Sequence, residues 1–189
     1  MANNATNVTT GKPAVTGAIY WAPEGTTLPT SVSTTLPAGF VGLGYVSEDG
    51  LTNDNSPDCD SIKAWGGDTV LSLWKERPDS FGFTLIEANN ADVLKVVYGS
   101  SNVAVDGTTG EKTIKAKSDA LPVGSWVIDM IYSDNTPKRI VIPRGRVSEV
   151  GTITYKDDEA VGYALTVTDL PDSTGVYHYE YIGTAPEQN

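Results

Sequence analysis

"SFGFTLIEANNADVLKVVYG", residues 80–99, changes period halfway along, and that change decides the fold. Up to Leu85 it alternates: Phe81, Phe83 and Leu85 share one face, as in a strand with one side buried. From Asn90 onward the spacing is helical, with Val93, Leu94, Val97 and Tyr98 on one stripe. Asn90 supplies an N-cap, Asp92 suits the positive end of the helix dipole, and Gly99 can close the C-terminus. Val93, Val96 and Val97 are weak helix formers, so a helix over about 90–98 needs tertiary packing to hold it.

Outside this stretch the period is two. "GYALTVTDL" (162–170) sets Tyr163, Leu165 and Val167 opposite Ala164, Thr166 and Thr168. "GVYHYEYI" (175–182) sets Tyr177, Tyr179 and Tyr181 opposite Val176, His178 and Glu180. Further strand candidates are "GAIYWA", "FVGLGYV", "SIKAW", "TVLSLWKE", "NVAVD", "KTIKAK", "SWVIDMIYS", "KRIVIPRG" and "GTITYK", separated by turn residues. Asp134-Asn135-Thr136-Pro137 joins two of them as a hairpin. The expectation is an all-β protein: a β-sandwich or barrel of about a dozen strands with one short flanking helix. Residues 15–183 form its single domain. Residues 1–14 read as a flexible arm and 184–189 as a C-terminal tail. Two long loops are expected, over 24–38 and over 47–61.

The chain has 189 residues and a formal charge of −11, unevenly spread. Residues 47–68 carry six acids against Lys63, whereas 111–146 carry seven bases against four acids. So anionic a protein is a poor tight ligand for duplex DNA, since that affinity comes from neutralising phosphates. No apolar run approaches the roughly 20 residues that span a bilayer, so no membrane partner is expected. The first residues lack a basic start and an apolar core, so the expectation is folding in the cytoplasm. Cys59 is the only cysteine, which leaves no intrachain disulfide and no cysteine-rich zinc site.

Catalytic and metal templates fail one after another. An EF-hand loop begun at Asp54 puts Cys59 where glycine is required and Trp65 where a bidentate glutamate is required. "GFVGLG" has the wrong spacing for a dinucleotide loop and precedes no helix. His178, the single histidine, stands among alternating tyrosines with no nucleophile elbow, and reads as a strand-surface residue. Asp157, Asp158 and Glu159 read as a turn, and nothing selects a glycosidase-type carboxylate pair. No catalytic residue, metal ligand or cofactor is expected.

Four segments taken in order resemble the major tail, or tail tube, proteins of long-tailed bacteriophages, particularly those of actinobacteria. They are "GYVSEDGL" (44–51), "DSIKAWGGDTV" (60–70), "FTLIEANNADVLKVVYG" (83–99) and "RIVIPRGRVSEVGTITY" (139–155), and the likeness covers roughly residues 15–183. The resemblance implies a structural virion protein rather than an enzyme, assembled in the host cytoplasm into the phage tail. It implies six copies in a ring and rings stacked helically into a hollow tube. A tape-measure protein would fill the lumen, and tail terminator and distal tail proteins would close the ends. Double-stranded DNA would pass through without specific binding. Terminal arms and a long loop would bridge neighbours, here 1–14, 24–38 and 47–61. The charge pattern suggests the contact: Glu48, Asp49, Asp54, Asp58 and Asp60 of one copy against Lys112, Lys115, Lys117, Lys138, Arg139, Arg144 and Arg146 of the next. The competing readings are a capsid decoration protein, a receptor- or glycan-binding module, and a β-sandwich hydrolase.

Overall fold

The computed structural model describes residues 3–14 and 17–184. Strand β1 (Gly11–Pro13) is followed by β2 (Ile19–Pro23), β3 (Val41–Gly42), β4 (Val46–Asp54), β5 (Asp58–Lys63), β6 (Thr69–Glu76) and β7 (Ser80–Leu85). Helix α1 (Ala91–Tyr98) comes next, then β8 (Val103–Val105), β9 (Lys112–Ile114), β10 (Gly124–Tyr132), β11 (Pro137–Val150), β12 (Tyr163–Asp169) and β13 (Tyr179–Ile182). The fold is all-β with one α-helix among the described residues, as the two periods indicate.

The period change at residues 80–99 is realised residue by residue. β7 buries Phe81, Phe83 and Leu85 and turns the intervening residues outward. Asn90 caps α1 by accepting from the Asp92 amide at 3.0 Å, and Gly99 ends it at φ 89°. The helix buries Val93, Leu94, Val96 and Val97, which supplies the packing that its valines need.

One nine-stranded sheet runs β3-β2-β10-β11-β12-β7-β4, with β1 also paired to β10 and β13 to β11. It cannot be flat. Phe83 on β7 and Trp126 on β10 are three strands apart, about 14 Å in a flat sheet. Their rings nevertheless meet edge-on with centroids 6.0 Å apart, so the sheet curls around its own inner face. Inside lie Trp126, Phe81, Ile19, Leu85, Ile142 and Val167, and α1 packs over β8, β9 and β11. Gly145 on β11 lets this packing close up: a Cβ there would lie 2.8 Å from both Trp126 and Val167.

Several expectations change. Residues 47–61 are not a loop: β4 pairs with β7 and β5 with β6, leaving only 55–57 between the two strands. Asp and Asn are poor strand formers, but pairing with the apolar partners β6 and β7 overrides that preference. The arm 1–14 is anchored at its end, where Gly11–Pro13 pairs with Met130–Tyr132. Residues 1–2 of that arm, and 185–189 of the tail 184–189, lie outside the described residues. "GTITYK" forms no strand: past the bulge at Val147/Glu149, β11 pairs with β12 as far as Val150, the Gly151 amide donates to the Ala164 carbonyl, and the chain leaves the sheet. The loop 24–38 has no strand of its own, yet it folds onto the body and buries Pro29.

Candidate assembly surfaces

β5 and β6 form a two-stranded sheet of their own, paired with no other strand among the described residues. Every residue from Asp58 to Glu76 is exposed, so the hairpin stands off the body as an arm. Register puts Asp60 opposite Leu73 and Ile62 opposite Leu71, which gives one face Ile62, Leu71 and Leu73. Cys59 and Trp74 pair on the other face, and Trp65 crowns the turn, fully open to solvent. A lone hairpin is marginal in water, and one that bares this much apolar surface requires a partner.

The acidic set divides between the arm and its root. Lys75 bridges Asp60 at 3.0 Å and Asp58 at 3.7 Å across the β5–β6 ladder. The Asp60 hydrogen bond and the Asp58 charge raise the Lys75 pKa. Asp54 ends β4, where it accepts from the Ser56 hydroxyl at 2.8 Å, and Asp49 accepts from Ser47 at 3.3 Å. Glu48 and Asp49 are exposed in the irregular part of β4, where register shifts between Val46 and Leu51.

The basic set is not one patch. Arg139 on β11 forms a buried bidentate pair with Asp129, directly opposite on β10, at 2.6 and 2.8 Å. Its remaining nitrogen donates to the carbonyls of Ser31 and Thr34 at 3.0 and 2.6 Å, which fastens the 24–38 loop to the sheet. Lys138 pairs with Glu180 at 2.9 Å, Arg144 with Glu24 at 2.6 Å, and Lys112 donates to Asn89 at 3.1 Å. Lys115, Lys117 and Arg146 remain as exposed bases. Sequence could not make this separation, because strand register decides which acid, Asp129, Glu180 or Glu24, takes up each base.

A curled β-domain with one docked helix and an unpartnered arm is an assembly subunit in outline, and the family comparison supplies its class. The family model described as phage tail tube protein matches residues 1–188. The chain belongs to the phage tail tube protein family. It is a structural protein of the phage tail. A search of curated proteins finds no match.

This tail tube protein also holds a cluster that the sequence reading missed. His178 is not on a strand surface. It lies just before β13, its ring stacked edge-on against Phe81 at 5.2 Å and its Nδ1 2.5 Å from Asp79 Oδ2. Asp169 Oδ2 is 3.8 Å from the same nitrogen. Both carboxylates are buried, and Asn53 donates to Asp79 Oδ1 at 2.7 Å. Neither Asp169 oxygen accepts a hydrogen bond from any described residue. Burial, with the Asp79 charge added, pushes the Asp169 carboxyl up to about 8. A signal was available. Asp79 is the next inward position of the Phe81, Phe83, Leu85 alternation, and Asp169 is the next after Tyr163, Leu165 and Val167. Because Thr168 pairs with Ser80, those two inward carboxylates meet across adjacent strands.

Proposed function

We propose that six copies of this tail tube protein close into a ring, and that rings stack into the hollow tube through which phage DNA reaches the host. The observation that carries this reading is the β5–β6 arm. Its exposed Ile62, Leu71, Leu73 and Trp74 need burial that the subunit itself does not provide, and a second copy is the partner a tube offers. The curled sheet ends in the edge strands β3 and β4, which are further surfaces where a neighbour can add contacts. The root acids Glu48, Asp49 and Asp54 then face the exposed bases Lys115, Lys117 and Arg146 of an adjacent copy; Asp58 and Asp60 serve the arm through Lys75.

Six chains carry a formal charge of about −66, six times −11, so DNA in the lumen meets no cationic wall to which it adheres. Screening over about 10 Å confines the repulsion to the wall, leaving the duplex to slide. The tape-measure protein occupies the lumen before ejection, with terminator and distal tail proteins at the ends.

Negative-stain microscopy of the full chain, alone and with a distal tail complex as initiator, tests the reading. The expected result is hollow tubes of stacked rings. In a second chain, residues 58–76 are replaced by a short Gly-Ser turn; it is expected to fold but leave no tubes. Discrete trimers, or tubes from the armless chain, would overturn the proposal.

A further inference from the structure

The geometry points to a divalent metal site, of the zinc or cobalt(II) class, formed by His178 Nδ1 and the carboxylates of Asp79 and Asp169. The three ligand atoms lie within 4.8 Å of one another, and they come from three separate pieces of chain. Asp79 precedes β7, Asp169 closes β12, and His178 precedes β13.

The donor set suits such an ion: one imidazole nitrogen and two carboxylate oxygens leave a fourth position for water. Ligand atoms about 2.1 Å from a tetrahedral ion lie about 3.4 Å from one another. The present His178 separations, 2.5 Å to Asp79 and 3.8 Å to Asp169, bracket that value, and all three ligand atoms lie within 4.8 Å, so modest side-chain adjustments bring them into place.

The independent sign of a ligand is Asp169. Its side chain is completely buried, it belongs to the cluster, and both oxygens lack a hydrogen-bond donor. Buried acceptors in folded proteins are nearly always satisfied, and two orphan oxygens on one carboxylate call for a positive partner. A dication would supply it, and would also cancel the repulsion between two aspartates held at inward positions of adjacent strands. The surroundings orient the ligands as metal sites require. Asn53 holds the outer oxygen of Asp79 at 2.7 Å, and Glu180 lies 3.9 Å from His178 Nε2.

The location gives the ion a role. Asp79 lies between the end of β6 and the start of β7, where the arm returns to the body, and Asn53 lies on the strand that leads out to it. The ion would tie the root of the arm to the chain that carries β13, which fixes the arm's angle.

Cobalt(II) and zinc(II) titrations of the full chain, in a Cys59→Ser background that removes the exposed thiol, test this. Expected are one metal per chain, cobalt d–d absorption without thiolate bands, and a melting temperature that rises with zinc and falls back with chelator. Asp169→Asn and His178→Gln, each verified as folded by circular dichroism, should weaken binding at least about tenfold. The parent chain gives a readout without those variants, since His178 is its single histidine. Its Nδ1 nitrogen resonance should shift on zinc addition. Saturation only at millimolar metal, an unmoved His178 resonance, or undiminished binding in the folded variants overturns the site.

Discussion

Arg139→Ala should destabilise the subunit rather than disarm an interface. Arg139 looks like one of seven bases in a cationic band, but it is paired inside the sheet and nearly inaccessible, its side chain 8% exposed. Removing it leaves the Asp129 carboxylate, 15% exposed, without a counter-charge and frees the carbonyls of Ser31 and Thr34. Breaking a buried pair from one side costs about 3–5 kcal/mol, mostly as the penalty for the stranded charge. Taking about 4 kcal/mol, the urea midpoint should fall by about 2 M for a slope near 2 kcal/mol/M. The melting temperature should drop on the order of 10 °C for a chain of this size. Equilibrium urea unfolding of dilute, unassembled subunits is the assay, because assembly would add its own concentration-dependent stability. The double variant Asp129→Ala/Arg139→Met should be less damaged than the two single losses added together, with a coupling of about 1–3 kcal/mol. Protease should also cut the 24–38 loop faster in Arg139→Ala. An Arg139→Ala subunit that unfolds within about 0.5 kcal/mol of the parent and yet forms no tubes would refute the structural role and restore Arg139 to the interface.

Other outcomes follow from single contacts. Leu71→Ser with Leu73→Ser on the exposed arm should leave subunit stability within about 0.5 kcal/mol but abolish tubes in electron micrographs. Reversing Glu48, Asp49 and Asp54 to lysine should block assembly, and pairing that change with Lys115→Glu, Lys117→Glu and Arg146→Glu should restore it, as read by sedimentation. Gly145→Ala places a methyl 2.8 Å from Trp126 and Val167, and should cost about 1–3 kcal/mol in thermal unfolding. Hydrogen bonds from Thr174, Tyr179 and the Val176 amide hold the Asp172 carboxyl far below its ordinary 3.8. The folded chain thus resists protonating it more than the unfolded chain does, so its contribution is present above about pH 4 and is lost on further acidification. Asp172→Asn should show a shallower fall in stability between about pH 4 and pH 2 than the parent.

The all-β fold could be read from the alternation of β7 and β12, although β10 and β11 bury unbroken runs over 124–128 and 139–143 instead. Phe81, Phe83, Leu85 and Tyr163, Leu165, Val167 alternate cleanly, and the Asn90-to-Gly99 segment departs from that rule with a cap at each end. The arm was harder, since its strand β5 is written in Asp, Cys and Ser and is held only by β6; local composition there argues for a loop, and pairing decides otherwise. Arg139 and Lys138 show a second limit. Adjacent in sequence and alike in charge, they face Asp129 and Glu180 respectively, and only the β10–β11 and β11–β13 registers distinguish a structural base from a surface one.

Asp79, Asp169 and His178 show a third limit, of a different kind. Each breaks an otherwise regular pattern, an acid at an inward position or a histidine among tyrosines, and each break is too weak to interpret in isolation. Their meaning comes from two registers and a turn that bring 79, 169 and 178 together. Two carboxylates at inward positions of adjacent strands bring no folding advantage, since an apolar pair there would extend the core at lower cost. The cluster lies where the arm leaves the body, which links the proposed metal site to the arm. In the proposed tube, a hairpin that binds a neighbour must be fixed in direction at its root, and His178, Asp79 and Asp169 are the polar groups placed to do it.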